Sequence, residues 1–154
     1  HATTAMCLEW LDMNSPQDLS VIDYGCGSGI LAIAAYKLGA TPVTAVDIDP
    51  QALTATRENA RRNKCDIEVA SPDSLNKQSV DLVIANILAN PLVELATDLS
   101  RYVRPGERLV MTGILAEQAE TVMAAYVDWF EFAAPVHREE WVLLEGVRLG
   151  GRVH

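Results

Sequence analysis

Short runs of apolar residues alternate along the chain with longer segments in which apolar residues recur every three or four positions. The short runs predict buried β-strands, and the longer segments predict amphipathic helices. Strands are expected at residues 19–24, 43–46, 67–70, 80–85, 108–112, 129–135 and 141–149. Helices are expected at residues 3–11, 30–38, 50–63, 92–102 and 117–126.

The regular alternation of strand and helix predicts βαβ units with right-handed crossovers. We therefore expect an α/β fold, a mostly parallel sheet of seven strands with helices on both faces. The last two strands, joined through residues 137–140, are expected to form an antiparallel hairpin. Ligands bind such sheets beyond the carboxyl ends of the strands, which brings together residues 23–29, 47–49 and 86–90.

Composition limits the class of protein. The length of 154 residues, 49% of them hydrophobic, indicates one globular domain. A formal net charge of −9 argues against a groove for nucleic acid, which needs clustered lysine and arginine, so no direct nucleic-acid binding is expected. Three widely spaced cysteines fit neither a disulfide framework nor a zinc site, and no metal is predicted.

The chain shows no apolar run of the roughly 18 residues that a membrane span needs, and no signal peptide at its start. We therefore expect a soluble, cytoplasmic protein without a membrane partner, and unpaired cysteines suit such a reducing compartment. The chain begins at His1 without an initiator methionine, which suggests a fragment of a longer protein.

A glycine-rich turn follows the first predicted strand and opens the next helix, with Gly25, Gly27 and Gly29 in alternate positions. Because glycine has no Cβ, such a turn lets a ligand approach the backbone closely, although a tight turn without a ligand fits the same pattern. Asp23 precedes the turn, and Asp47 ends the following strand. A carboxylate at that second position can accept both hydroxyls of a ribose, so a nucleotide-like ligand is favoured.

Two cofactor classes use a strand, a glycine turn and a distal acid. A dinucleotide site has the spacing Gly-x-Gly-x-x-Gly, whereas Gly29 comes one position too early for it. An ionised Asp23 would also repel a pyrophosphate at the start of the helix. S-adenosylmethionine has an α-ammonium group, a sulfonium, a ribose and no phosphate, and it therefore fits these residues better.

Three segments together resemble class I S-adenosylmethionine-dependent methyltransferases, namely residues 23–29, 46–50 and 86–89. More narrowly, the chain is similar to the catalytic domain of the ribosomal protein L11 methyltransferase (PrmA) family in His1-Ala2-Thr3-Thr4, Glu140-Trp141 and Gly146. The resemblance covers nearly the whole chain. It implies a Rossmann-like catalytic domain over residues 1–154, without the small N-terminal domain that recognises the substrate in this family.

The resemblance implies S-adenosylmethionine as the cofactor and S-adenosylhomocysteine as its product. The methionine end of the cofactor would lie along Asp23, Gly25, Gly27 and Gly29. Asp47 would hold the ribose, Ile48 would pack on the adenine, and Asn86 would stand beside the methyl group. Thr3 and Thr4 would lie over the cofactor as part of a partly mobile lid.

The family also implies the reaction, which is transfer of methyl groups to amine nitrogens of a large-subunit ribosomal protein, on lysine side chains and the α-amine. Asn86 and Leu88 would be the catalytic residues, with Leu88 near the entering amine. An amine that attacks a sulfonium methyl must be neutral, close and in line. The side-chain carbonyl of an asparagine can orient an N–H of the substrate amine, and the asparagine does not compete as a nucleophile. No residue stands out as a general base.

The segment Asn86-Ile87-Leu88-Ala89 bears on the substrate. Enzymes of this fold that methylate planar amides or base amines carry Asn-Pro-Pro-Tyr, whose ring stacks on the substrate. The absence of that ring favours a flexible alkyl amine. Three alternatives stay open: a methyltransferase acting on a small molecule or nucleic acid, a cofactor-binding module inactive without its recognition domain, and a helix entry at which Asn86 is only a cap.

Three further polar residues have simple interpretations. Asp49 is expected to cap the helix that begins at Pro50 rather than to act in the site. His1 and His137 are expected to be surface residues.

Overall fold

An eight-stranded sheet forms the centre of the computed structural model, which describes residues 1–75 and 79–150. Its strands are β1 (Val21–Tyr24), β2 (Val43–Val46), β3 (Glu68–Ala70), β4 (Val80–Asn86), β5 (Val103–Leu115), β6 (Phe130–Phe132), β7 (Val136–Arg138) and β8 (Trp141–Arg148). The α-helices are α1 (Ala2–Met13), α2 (Ile30–Lys37), α3 (Pro50–Arg62), α4 (Ala89–Glu94), α5 (Ala96–Tyr102) and α6 (Ala119–Tyr126).

The order of strands across the sheet is β3-β2-β1-β4-β5-β8-β6, and β7 also pairs with β8. Strands β1 to β5 are parallel, whereas β8 is antiparallel to β5, β6 and β7. The predicted α/β fold, with a mostly parallel sheet and an antiparallel end, is confirmed.

The three central strands end level with one another. Tyr24, the last residue of β1, pairs with Val46 of β2 on one side and with Ala85 of β4 on the other. On the far side of β4, Asn86 pairs with Thr112 of β5. The loops that follow these strands therefore emerge side by side along one edge of the sheet.

Both faces of the sheet are covered, because the central strands are apolar on both sides. Ile22, Val83 and Met111 belong to the core beneath α4, α5 and α6. Val21 and Ile84 belong to a second core on the opposite face, with residues of α1 and α2. Burial on both faces explains why β4 has a nearly continuous apolar sequence.

The predicted helix at 92–102 is two helices. Helix α4 begins at Ala89, earlier than predicted. Pro91 is compatible with this start because it lies in the first turn, where its missing N–H removes no helical hydrogen bond. The helical path then breaks at Leu95, which ends α4 and precedes α5. We therefore correct the single helix to a pair.

The end of the sheet also differs from the prediction, with eight strands instead of seven. The expected strand at 129–135 is only β6, and residues 136–138, which include two residues of the predicted connection at 137–140, form β7. Both strands lie on the same edge of β8, β6 at residues 146–148 and β7 at residues 141–143. Pro135, between them, has no N–H to donate to a ladder, which explains the interruption.

Strand β5 is longer than its predicted core at 108–112. It begins at Val103, and its pairing with β4 shifts between Val103 and Arg108, around Pro105 and Gly106. Gly106 has a φ of +84°, which permits this bulge. None of the helices formed by residues 1–75 and 79–150 has the length and apolar character required for crossing a membrane.

Candidate active site

The glycine turn between β1 and α2 is held to the neighbouring strand. The N–H groups of Gly25 and Cys26 donate to the Val46 carbonyl oxygen at 2.7 and 2.9 Å. Gly25, Gly27 and Gly29 have φ angles of +79°, +56° and +87°, which other residues rarely adopt. The alternate glycines of the sequence are therefore required by the path of the backbone.

Helix α3 supports the same turn from behind. The Thr56 hydroxyl donates to the Gly27 carbonyl oxygen at 3.0 Å, and the Asn59 amide donates to the Ser28 carbonyl oxygen at 2.9 Å. A Cβ added to Gly29 would lie 2.7 Å from Thr56 Cγ2, whereas a Cβ on Gly27 would meet no atom within 4 Å. The turn is packed on its α3 side and open at Gly27, where a ligand can reach the backbone.

Asp47 joins the loop after β2 to the glycine turn. Its Oδ2 accepts the Gly27 N–H at 2.9 Å, and its Oδ1 accepts the Asp49 N–H at 3.0 Å. A carboxylate has about four lone-pair positions, so both oxygens retain acceptor capacity. Asp49 accepts the Gln51 N–H at 2.9 Å, and its predicted role as the cap of α3 is confirmed.

Asp23 lies beneath the turn, on the buried strand β1, with only 1% of its surface exposed. Its Oδ2 accepts the Ala32 N–H at 3.1 Å, and its Oδ1 has no hydrogen-bond partner within the described ranges. Burial raises the pKa of this carboxyl to about 7, with a smaller rise from Asp47, against the lowering effect of the Ala32 bond. An ionised carboxylate was expected at Asp23 from the sequence, and its raised pKa corrects that expectation.

The loop after β4 is held between two glycines. A Cβ on Gly25 would overlap the Ile87 side chain, and a Cβ on Gly113, a buried residue near the carboxyl end of β5, would overlap the Ile87 carbonyl group. Gly113 also has a φ of +88°. Ile87 therefore sits where two side chains are missing, and this contact fixes the position of its neighbours Asn86 and Leu88.

Two cavities open along this edge of the sheet, and Ile87 and Leu88 border both of them. The first has a volume of about 560 Å³ and lies between the Asp47-Ile48 loop and helix α4. Two large apolar side chains stand exposed at its walls, Ile48 at 81% and Leu88 at 67%. An apolar ligand group placed there would cover both.

The second cavity, about 340 Å³, lies between the start of α1, the Asn86 loop and β8. The Asn86 amide donates to Thr4 Oγ1 at 3.5 Å, and Thr3 Oγ1 lies 2.9 Å from His1 Nδ1. The His1 ring meets the ring of Trp141 edge-on, with centroids 5.3 Å apart. This cavity is therefore lined by polar groups of α1 and Asn86, by the apolar side chains of Ile87 and Leu88, and by the rings of His1 and Trp141.

The structure brings the predicted site residues to one edge of the sheet, with two qualifications of position. Asp23 is covered by the turn instead of facing the first cavity. Thr3 and Thr4 lie in the first turn of α1, where Thr3 is buried, and their role as a lid stays a prediction. His1 is exposed, as expected of a surface residue, but it also lines the second cavity.

Several residues of the site were missed by the sequence argument. Ile87 and Gly113 act through a contact between distant segments, and Glu94 lines the first cavity from α4. A glycine at the carboxyl end of a parallel strand is a signal that would have drawn attention to Gly113. The sequence offers no equivalent signal for Glu94.

The strand order, the glycine turn and the acid after β2 together define a class I S-adenosylmethionine-dependent methyltransferase fold. The fold is shared with a methyltransferase from Pyrococcus furiosus, with a TM-score of 0.79 at 13% identity over 94% of this chain and 82% of that one. The model of the family "Ribosomal protein L11 methyltransferase (PrmA)" matches residues 1–149. The chain belongs to this family.

Individual relatives agree with the family match. The ribosomal protein L11 methyltransferase of Methylococcus capsulatus is 60% identical over 151 residues, covering 96% of this chain and 52% of the relative. The protein of that name from Thiobacillus denitrificans is 55% identical, covering 96% and 50%. A crystal structure of the ribosomal protein L11 methylase from Lactobacillus delbrueckii subsp. bulgaricus has a TM-score of 0.87 at 32% identity, covering 97% and 80%. The chain spans about half the length of these curated relatives.

We expect Gly113→Ala to destabilise the fold more than Gly106→Ala does. Both glycines have left-handed φ angles, but only a Cβ at 113 meets the Ile87 backbone, whereas one at 106 meets nothing within 4 Å. The difference in the free energy of unfolding, measured with urea, should be about 1–3 kcal/mol, the cost of overpacking. Equal losses would show that the contact with Ile87 does not constrain the loop.

We expect Asp23→Asn to gain stability over the parent protein as the pH rises from 5 to 8. The pKa of Asp23 is about 7 in the folded protein, above its unfolded value of about 3.9, so the carboxyl destabilises the fold as it loses its proton across this window. The gain is about 1.4 kcal/mol for each pH unit between pH 5 and the folded pKa of about 7, and it levels off above that pKa because the carboxyl is then ionised in both states. The amide oxygen of the variant can still accept the Ala32 N–H.

Urea unfolding of both proteins at pH 5 and pH 8 measures this gain, with Asp81→Asn as the control. For Asp81, hydrogen bonds from Ser20 and the Arg104 contact outweigh burial, and the pKa is lowered. The Asp81 carboxylate is therefore ionised throughout the window, and the effect of its substitution should not depend on pH there. A constant difference for Asp23→Asn as well would contradict the assignment of the raised pKa.

Proposed function

We propose that this chain is the catalytic part of a methyltransferase that transfers methyl groups from S-adenosylmethionine to amine nitrogens, those of lysine side chains and the α-amine, of ribosomal protein L11. The observation that carries the proposal is the pair of cavities that meet at Ile87 and Leu88. One suits an adenosyl group, and the other suits an amine. The three cysteines are free thiols, which supports action in the reducing cytoplasm.

The first cavity fits the adenosyl part of the cofactor. Asp47 has acceptor capacity for ribose hydroxyls, and the exposed side chains of Ile48 and Leu88 offer apolar surface to the adenine. No lysine or arginine stands among the described residues that line this cavity. A phosphate would find no cationic side chain there, and this favours S-adenosylmethionine over a dinucleotide.

The glycine turn fits the methionine end. Gly27 leaves space where a Cβ would stand, and the backbone at Gly25 and Gly29 is fixed by hydrogen bonds and packing. Asp23 supplies a buried carboxyl under the turn, with one oxygen unpaired in the described part of the chain. We propose that the α-ammonium group of the cofactor binds above Asp23. The positive charge of the ammonium group would stabilise the ionised form of this buried carboxyl.

The second cavity receives the substrate amine in this proposal. When bound, the cofactor supplies a methyl group on a positively charged sulfur. Asn86 donates to Thr4 through its amide nitrogen, so its Oδ1 remains available to accept an amine N–H and aim the lone pair. Leu88 contacts the alkyl part of the substrate chain. Thr3 and Thr4 close the cavity from α1. Holding the amine nitrogen close to the methyl group and in line with its bond to sulfur accelerates the methyl transfer.

Ribosomal protein L11 is proposed as the substrate because the relatives carry that name. Those relatives are about twice as long as this chain. Recognition of the substrate by a separate N-terminal domain stays a prediction. Assays of substrate methylation therefore need the whole protein, whereas cofactor binding is a property expected of the chain described above.

We expect Asp47→Ala to weaken binding of S-adenosylhomocysteine by a factor of about 10 to 150, because each charge-assisted hydrogen bond is worth about 1.5–3 kcal/mol. Isothermal titration calorimetry measures the affinity. Asp49→Ala is the matched control, since it removes a neighbouring carboxylate that caps α3, and it should leave the affinity nearly unchanged. Binding of a nicotinamide dinucleotide in place of S-adenosylhomocysteine would refute the cofactor assignment.

We expect the whole protein to move label from methyl-labelled S-adenosylmethionine to ribosomal protein L11, on amines located by peptide mass spectrometry. Asn86→Ala should lower the turnover number about 100-fold, because the amine is no longer held in line. His137→Ala, at an exposed position away from both cavities, should retain the parent rate. Label in RNA or in small molecules alone would show that the substrate is not a protein.

A further inference from the structure

Helix α4 contributes an exposed carboxylate, Glu94, to the wall of the first cavity. Pro91, Glu94 and Leu95 share this wall because residues three and four apart lie on one face of a helix. Asp47 belongs to the opposite wall, formed by the loop after β2. The cavity therefore has a hydrogen-bond acceptor on each side.

The rest of the lining is largely apolar and includes the side chains of Ile48, Ile87 and Leu88. Within the described residues, the two acids are the charged groups that line the cavity. A carboxylate accepts hydrogen bonds and donates none when it is ionised. The cavity therefore suits a flat apolar group with a donor at the edge that faces Glu94, and with hydroxyl donors at the end that faces Asp47.

Adenosine has this arrangement of groups. Its ribose carries two hydroxyls, and the exocyclic 6-amino group lies on the edge of the base away from the sugar. We propose that Glu94 accepts a hydrogen bond from the 6-amino group of the adenine and thereby makes the site prefer adenine over a 6-oxo purine. The inference rests on the proposed function, and it adds a specificity-determining residue to that site.

Selectivity follows from the acceptor character of Glu94. A 6-oxo purine presents a carbonyl oxygen where adenine presents an N–H, so two acceptors would face each other and both would lose their partners. Sites built to hydrogen-bond an N–H discriminate strongly against analogues that lack it. Because Glu94 is exposed and water competes for it, we expect a preference of about 10- to 100-fold rather than the larger values of buried sites.

Asp98 provides a matched comparison on the neighbouring helix α5. It is also an exposed acid, but it pairs with Arg101 at 3.9 Å on its own helix and does not line the first cavity. Replacing it changes the charge of the protein by the same amount as replacing Glu94. A general electrostatic effect on ligand binding would therefore appear in both variants.

The test is a titration of S-adenosylhomocysteine and of S-inosylhomocysteine, its 6-oxo analogue, into the parent chain, Glu94→Ala, Glu94→Gln and Asp98→Asn. The parent chain and Asp98→Asn should prefer the adenosyl ligand about 10- to 100-fold. Glu94→Ala should bind S-adenosylhomocysteine about 10-fold more weakly and lose most of the preference. Glu94→Gln should gain affinity for the inosyl ligand, because an amide can donate to the 6-oxo group.

The outcomes separate this inference from the proposed function. If the parent chain binds S-adenosylhomocysteine and both Glu94 variants keep its affinity and its preference, the role of Glu94 is overturned while the cofactor assignment stands. If the parent chain binds neither ligand, the proposed function itself fails. Thermal unfolding of each variant, followed by circular dichroism, shows that a lost affinity comes from the side chain and not from a lost fold.

Discussion

The site depends on the register of β1, β2 and β4, which aligns the carboxyl ends of these three strands at one edge of the sheet. Hydrogen bonds from the turn to the Val46 carbonyl oxygen fix the glycine loop against β2, and the ladder with Ala85 fixes the loop after β4 beside it. A shift of one residue in either pairing would move each side chain of the strand to the opposite face of the sheet and displace the loops relative to one another. The apolar interior of the sheet therefore determines how far Asp47 lies from the glycine turn and from Ile87.

Most of this arrangement can be predicted from the sequence, because each feature of the site is a short local motif. One general property of parallel sheets then places these motifs together. Glycines with left-handed φ angles, an acid at the end of a strand and an asparagine after an apolar run are each visible in a few residues. The tendency of ligands to bind beyond the carboxyl ends of parallel strands then brings them together. The boundaries that failed lie elsewhere, where Leu95 interrupts a helix and where Pro135 divides an edge strand.

The features that the sequence did not predict depend on how deeply a side chain is buried and on contacts between distant segments. Asp23 looks like any acid before a turn, but β1 is buried on both faces, and that burial changes the protonation of its carboxyl. Gly113 matters because it faces the backbone of Ile87, which belongs to another strand and loop. Glu94 reaches the cavity because it shares a face of α4 with Pro91 and Leu95, and the apolar periodicity does not show that this face borders a cavity.

The position of Ile87 and Leu88 as a wall common to both cavities has a thermodynamic consequence. A ligand in either cavity that displaces this wall alters the shape of the other. By linkage, the factor by which the first ligand changes the affinity for the second equals the factor by which the second changes the affinity for the first. Seating this segment between Gly25 and Gly113 limits its displacement, and so limits the size of that coupling free energy.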